Sequence, residues 1–135
     1  MTARWELRFA NFDRVVGELE EAIAIRGARP LGDLEAAGTI KRFEMCFELG
    51  WKVLQDFVAD SGDPLDIRAP KFAIRAGLAA NLIVDGDGWI AAMKLRNRTT
   101  HEYSSEAAVA AVEAIGSQFL PLFQALRQRL NDQRA

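Results

Sequence analysis

The chain holds one cysteine, one histidine and one tyrosine among its 135 residues. A lone Cys46 excludes an intrachain disulfide, and with His101 it falls short of a Cys/His zinc site. Its neighbours in FEMCFELGW are large and apolar, which predicts a buried thiol, and a reducing, cytoplasmic setting fits. The N-terminal MTARWELRFANFDRVV has no long apolar run, so neither a signal peptide nor a membrane span is expected. Positive charge is not in excess: 17 Lys and Arg stand against 19 Asp and Glu, a net charge of −2. A broad nucleic-acid-gripping surface is usually basic, so RNA would be met through a local patch or through a partner. Neither a GxxxxGK[ST] phosphate loop nor a GxSxG nucleophile elbow occurs. Alternating strand patterns, internal repeats and low-complexity tracts are also missing; NLIV is the only β-like run.

What remains is helical periodicity, at a length that fits a single domain over residues 1–135. Trp5, Phe9, Phe12, Val16, Leu19 and Ile23 step by threes and fours and predict a helix over about residues 3–26. RGARPLGD then reads as a loop. Ile40, Phe43, Phe47, Trp51, Leu54 and Val58 predict a second helix over about Leu34–Ala59, with Glu44, Glu48 and Lys52 as a charged stripe at i, i+4, i+8. DSGDP stops it, and Pro70 suits the first turn of a short helix spanning PKFAIRAGLAANL. Asp85 or Asp87 can cap a fourth helix carrying Trp89, Ile90, Met93 and Leu95. Ser104 or Ser105 can cap a last helix with Glu106 in its first turn and a seam of Val109, Val112, Ile115, Phe119, Leu122, Leu126 and Leu130. Pro121 should kink that helix or end it near Gln118–Leu120. The expectation is an all-α, antiparallel up-down four-helix bundle with one additional short helix, its Phe and Trp residues mostly in the core.

VDGDG could suggest a calcium loop, but counting from Asp85 puts Trp89 at the fifth position and Arg96 at the twelfth, where oxygen ligands are needed. The turn-and-cap role is the better reading of Asp85 and Asp87. Chemistry concentrates instead in RNRTTHEY, residues 96–103, which holds the only His and the only Tyr behind Arg96 and Arg98. An imidazole takes and gives a proton near neutrality. A guanidinium's forked donors match phosphate oxygens. Together they suffice for metal-free RNA cleavage, since the ribose supplies its own 2′-hydroxyl nucleophile.

Helical geometry sets a constraint. Arg96 and His101 at i, i+5 lie about 140° apart on a regular helix and do not converge. Either the helix ends near the β-branched Thr99–Thr100, letting His101 turn back, or two chains pair and assemble the site across a symmetric interface. The second route brings two copies of Lys94, Arg96 and Arg98 to one groove, a phosphate-binding surface despite the net negative charge. Helix-dipole stabilisation alone would also place cations and a His at a helix C-terminus.

RNRTTHEY resembles the R-N-x-x-x-H-x-Y motif of the HEPN superfamily, in the branch paired with minimal nucleotidyltransferases. IKRFEMCFELGWKVLQDF resembles the second helix of that branch, described as nucleotidyltransferase substrate-binding or HepT-like proteins. The likeness runs from about Trp5 to Leu130, with Gly50 standing where alanine is expected. It implies helical bundles that dimerise with their motifs meeting in a cleft, many of them metal-independent endoribonuclease toxins without a cofactor. It implies a nucleotidyltransferase antitoxin as partner, able to adenylylate the motif tyrosine. By position, Arg96 and His101 would be the catalytic pair, Asn97 a supporting residue and Tyr103 the modification acceptor. Glu48 and Lys52 would line the same cleft. The alternatives are a non-catalytic substrate-binding subunit of a two-component nucleotidyltransferase, and a helical interaction protein whose motif is structural.

Overall fold

The computed structural model of the protein describes residues 3–60, 69–101 and 104–134. The described residues are helical, with no strand among them. Helices α1 (Arg4–Ala28) and α2 (Asp33–Asp60) form a long antiparallel hairpin. One end is fixed by the Trp5 N–H donating to Asp60 (3.1 Å) and Arg8 to the buried Asp56 (2.6 Å). At the other end Arg29 forks onto Glu35 (2.8 and 2.6 Å). The first helix runs two residues beyond the expected Arg26, through Gly27 and Ala28. Arg29 ends it, in an extended conformation (φ −161°, ψ 162°), because the ring of Pro30 disfavours helix in the residue before it.

Helix α3 (Pro70–Ala79) begins with Pro in its first turn and packs on the C-terminal half of α2. It stops short of the expected Leu82. Asn81 takes a left-handed conformation (φ 60°), and the Leu82 N–H closes back onto the Gly77 carbonyl at 2.9 Å. NLIV is therefore a turn whose Leu82 and Ile83 are buried. The DSGDP break beyond Asp60 lies outside the described residues.

Asp85, not Asp87, caps α4 (Gly86–Thr99) by accepting from the Gly88 N–H at 2.9 Å. Ser104, not Ser105, caps α5 (Ser105–Ala114) by accepting from the Ala107 N–H at 3.1 Å. Pro121 does not end the last helix. A π-turn over Ile115–Phe119 joins α5 to α6 (Leu120–Asp132) in one continuous rod. Proline has no N–H to give the preceding turn, and a wider turn beside it accommodates that loss.

Five of the seven expected seam residues, Val112, Ile115, Phe119, Leu126 and Leu130, are buried. Upstream the buried stripe is Ala111, Val112 and Ile115, and Val109 is 67% exposed rather than core. Downstream Phe119, Leu120, Phe123, Leu126 and Leu130 are buried, so Phe123 takes the place expected of Leu122, which is half-buried. The Ser105–Asp132 rod is long and apolar enough to cross a membrane by length and composition alone. Here its apolar side forms one wall of the bundle. Phe12, Phe43, Phe47, Trp89, Phe119 and Phe123 meet in its centre, with ring centroids 5.6–6.4 Å apart. Gly50 is the reason they can close. A Cβ there would lie 3.0 Å from Trp89 and 3.2 Å from Phe12. Cys46 is fully buried in the same core, and burial pushes its thiol up to about 12.

Candidate functional site

The charged stripe of α2 faces the C-terminal half of α4. Glu44 accepts from the Thr99 hydroxyl (2.7 Å), and one turn on Glu48 accepts from Arg96 Nη1 (2.9 Å). Residue numbers rise along α2 as they fall along α4, so the two helices are antiparallel. The two carboxylates thus pin successive turns of the RNRTT segment to the bundle.

Arg96 is set in a defined seat. Its guanidinium lies 5.1 Å from the centroid of the buried Phe47 ring, close enough for a cation–π contact. Its Nε donates to Asn97 Oδ1 at 3.2 Å. Only 24% of its side chain is exposed, and Nη2 makes no hydrogen bond to any described residue.

Glu48 is the hub. Besides Arg96 it accepts from Trp51 Nε1 (3.1 Å) and pairs with Lys52 Nζ (3.2 Å). Partial burial pushes its carboxyl up, but the hydrogen bonds from Trp51 and Lys52 and the charges of Lys52 and Arg96 outweigh that. The net effect lowers it below the ordinary carboxylate range. It is therefore a carboxylate at neutral pH, and it holds the Arg96 guanidinium in place.

The remaining motif residues are open. Helix α4 ends at Thr99, as the first of the two geometric routes requires, and the His101 N–H closes onto the Arg98 carbonyl at 3.0 Å. His101 is exposed, and its imidazole has no partner among the described residues. No hydrogen bond joins its side chain to Arg96, so the helix end alone does not bond the pair within one chain. Asn97, Lys94 and Arg98 are exposed. Lys94 and Arg98 form no ion pair with a described residue. Arg98 and Thr99 border a shallow cavity of about 210 Å³ with Ile40, Leu95 and the alanines of α5. Tyr103 lies outside the described residues.

The structure therefore joins Arg96, Asn97, Glu48 and Lys52, and leaves the side chains of His101, Lys94 and Arg98 beside them without a hydrogen-bond or ion-pair partner among the described residues. It adds four residues that the motif did not single out: Glu44, Phe47, Trp51 and Thr99. The signal for Glu44 was its place one turn before Glu48 on the same charged stripe. Phe47 and Trp51 read as core residues because their apolar bodies are core; their second role depends on what α4 lays against them.

Three comparisons bear on this geometry. A Haemophilus influenzae protein named "Probable ribonuclease HepT" is 34% identical over 103 residues, covering 72% of this chain and 70% of that protein. A solved Haemophilus influenzae structure, described as revealing the fold of a substrate binding domain of a nucleotidyltransferase, superposes with a TM-score of 0.80. It is 27% identical and covers 91% of this chain and 98% of that one. Residues 7–132 match the family described as "Nucleotidyltransferase substrate binding protein like", and the chain belongs to that family.

Proposed function

We propose that the protein is a HEPN-type, metal-independent endoribonuclease of the HepT kind, a toxin restrained in the cytoplasm by a nucleotidyltransferase antitoxin. The observation that carries this reading is a half-buried, pre-oriented Arg96 in the same motif as an exposed His101 whose imidazole has no partner among the described residues. The ribonuclease name of the 34% identical relative supports it.

In the proposed reaction an imidazole of His101 takes the proton of a ribose 2′-hydroxyl. The 2′-oxygen attacks the adjacent phosphorus and the bond to the 5′-oxygen breaks. An imidazolium returns a proton to that leaving oxygen, giving a 2′,3′-cyclic phosphate and a 5′-hydroxyl end. Arg96 stabilises the charge that builds on the phosphoryl oxygens. Asn97, Glu48 and Lys52 hold Arg96 or line its cleft. Lys94 and Arg98 receive flanking phosphates. Because no hydrogen bond joins Arg96 to His101 within one chain, the working cleft is assembled by a homodimer, each motif meeting its copy. Tyr103 is the acceptor for adenylylation. A nucleotide phosphate two residues from His101 would repel and occlude the RNA phosphate.

Cleavage of RNA in the presence of a chelator tests the reading. His101→Ala should lose about 10²–10⁴-fold in rate, with unchanged thermal stability because its side chain is exposed. Equal cleavage by wild type and His101→Ala would overturn it. The family description favours a second reading, a non-catalytic subunit that presents substrate to a nucleotidyltransferase. It predicts a complex with that enzyme that survives His101→Ala, and no cleavage by either protein.

A further inference from the structure

Among the described residues the aromatic side chains pack in or against the core with one clear exception. Phe72, on α3, is 50% exposed, whereas the rings of Phe9, Phe12, Phe43, Phe47, Phe119 and Phe123 are buried. Arg75, one turn on, sets its guanidinium 5.8 Å from the centroid of the Phe72 ring, and Lys71 stands exposed beside it. The sequence of α3, PKFAIRAGLA, carries two cations and no acid. Each of the other five helices contains at least one Asp or Glu. In a chain of net charge −2, a helix with only positive charge and an outward ring is a local exception in both respects.

The support beneath this face is rigid. On its inner side α3 buries Ala73, Ile74, Ala76 and Gly77. The approach to α2 is so close that a Cβ on Gly77 would lie 3.0 Å from Leu54. Helix α3 packs against α2 and α4, the two helices that build the Glu48–Arg96 seat. Leu54 stands six residues from Glu48, about 9 Å along α2.

We propose that Phe72, Arg75 and Lys71 form a stacking platform for the unpaired bases of single-stranded RNA. The proposal rests on the ribonuclease reading and adds to its flanking phosphate contacts a contact for the substrate's bases. An aromatic face and a guanidinium plane are the two surfaces on which splayed bases stack. Lysine and arginine around them attract the backbone. An aliphatic protein-docking patch would need neither a ring nor a helix emptied of acids.

The test is a binding titration of a labelled, mixed-sequence oligoribonucleotide by fluorescence anisotropy, in the His101→Ala background so that substrate survives. Phe72→Ala should weaken single-stranded binding by about tenfold or more, the scale of one lost base stack. Phe72→Trp should retain binding, and a duplex of the same sequence should bind alike in both variants, since its bases are not free. Leu34→Ala, exposed at the opposite end of α2, should change nothing. Thermal melts of each variant confirm the fold. Equal binding by Phe72→Ala, or equal weakening of single-stranded and duplex RNA, would overturn the platform. So would loss of nucleotidyltransferase binding with RNA binding intact, which would make α3 a protein-docking face. If the protein with His101 in place cleaves RNA while Phe72→Ala binds normally, the platform falls alone. If that protein neither binds nor cleaves RNA, the ribonuclease reading falls with it.

Discussion

Replacing Glu48 separates two contributions that meet on one carboxylate, those of Trp51 and Arg96. Glu48→Ala removes the acceptor of Trp51 Nε1 and the partner of Arg96 Nη1 together. Trp51 is 8% exposed, so its orphaned N–H costs about 1–2 kcal/mol. The Arg96 ion pair is partly solvated, with 24% and 37% of the two side chains exposed, which holds its share to about 0.5 kcal/mol. The sum is about 2 kcal/mol, or about 7 °C in Tm for a domain of this size. Glu48→Gln keeps an acceptor for Trp51 and loses only the charge, so it should lose about 2 °C. A double-mutant cycle of Glu48→Gln with Arg96→Gln should return a coupling of about 0.5 kcal/mol. Calorimetric or circular dichroism melts measure all of these. Equal losses for Glu48→Ala and Glu48→Gln, or no loss in either, would refute the idea that Trp51 and Arg96 share this carboxylate. If Arg96 works on the phosphate, cleavage rates should fall in the same order, Glu48→Ala more than Glu48→Gln.

Other predictions follow from single contacts. Thr99→Val removes the hydroxyl that donates to Glu44 and should destabilise the protein by about 1 kcal/mol in urea denaturation. Gly50→Ala gains about 1 kcal/mol of helix propensity. It also drives a methyl against Trp89 and Phe12, both fully buried, at a cost of about 1–3 kcal/mol, so Tm should fall. Cys46, its thiol pushed up to about 12 by burial, should resist thiol reagents in the native protein and react once urea unfolds it. Glu20, Glu35 and Glu48 all have carboxyls held below the ordinary value of 4.5. Glu20 is lowered by Arg127, and Glu35 falls to about 2 under the Arg29 fork. The folded state therefore binds fewer protons than the unfolded one between about pH 2 and 4.5. Tm should be level above about pH 5.5 and decline as the pH falls through that window, and a Tm rising toward acid would contradict the ion-pair assignments.

Periodicity alone was enough to find the helices, because which residues face inward on an isolated helix depends only on local spacing. The seams of α1 and α2 are buried nearly as their spacing requires. RNRTTHEY was legible too, since a lone His behind two Arg residues is a compositional fact. The pattern failed at individual positions only. In the last helix Phe123 is buried in place of Leu122 and Val109 faces solvent, while Val112, Ile115, Phe119, Leu126 and Leu130 keep the expected seam.

The i, i+4 pair of Glu48 and Lys52 follows from spacing, but the partners of charged groups on different helices were beyond the sequence. Glu48 and Arg96 are 48 residues apart and meet only because α2 and α4 pack antiparallel in one register. That register also decides that Arg96 is held by a carboxylate over Phe47 while His101, past the helix end, is exposed. Spacing along one chain fixes the angle between neighbours on a helix. It carries no information about the depth at which two helices interlock, and the aromatic core around Gly50 sets that depth here.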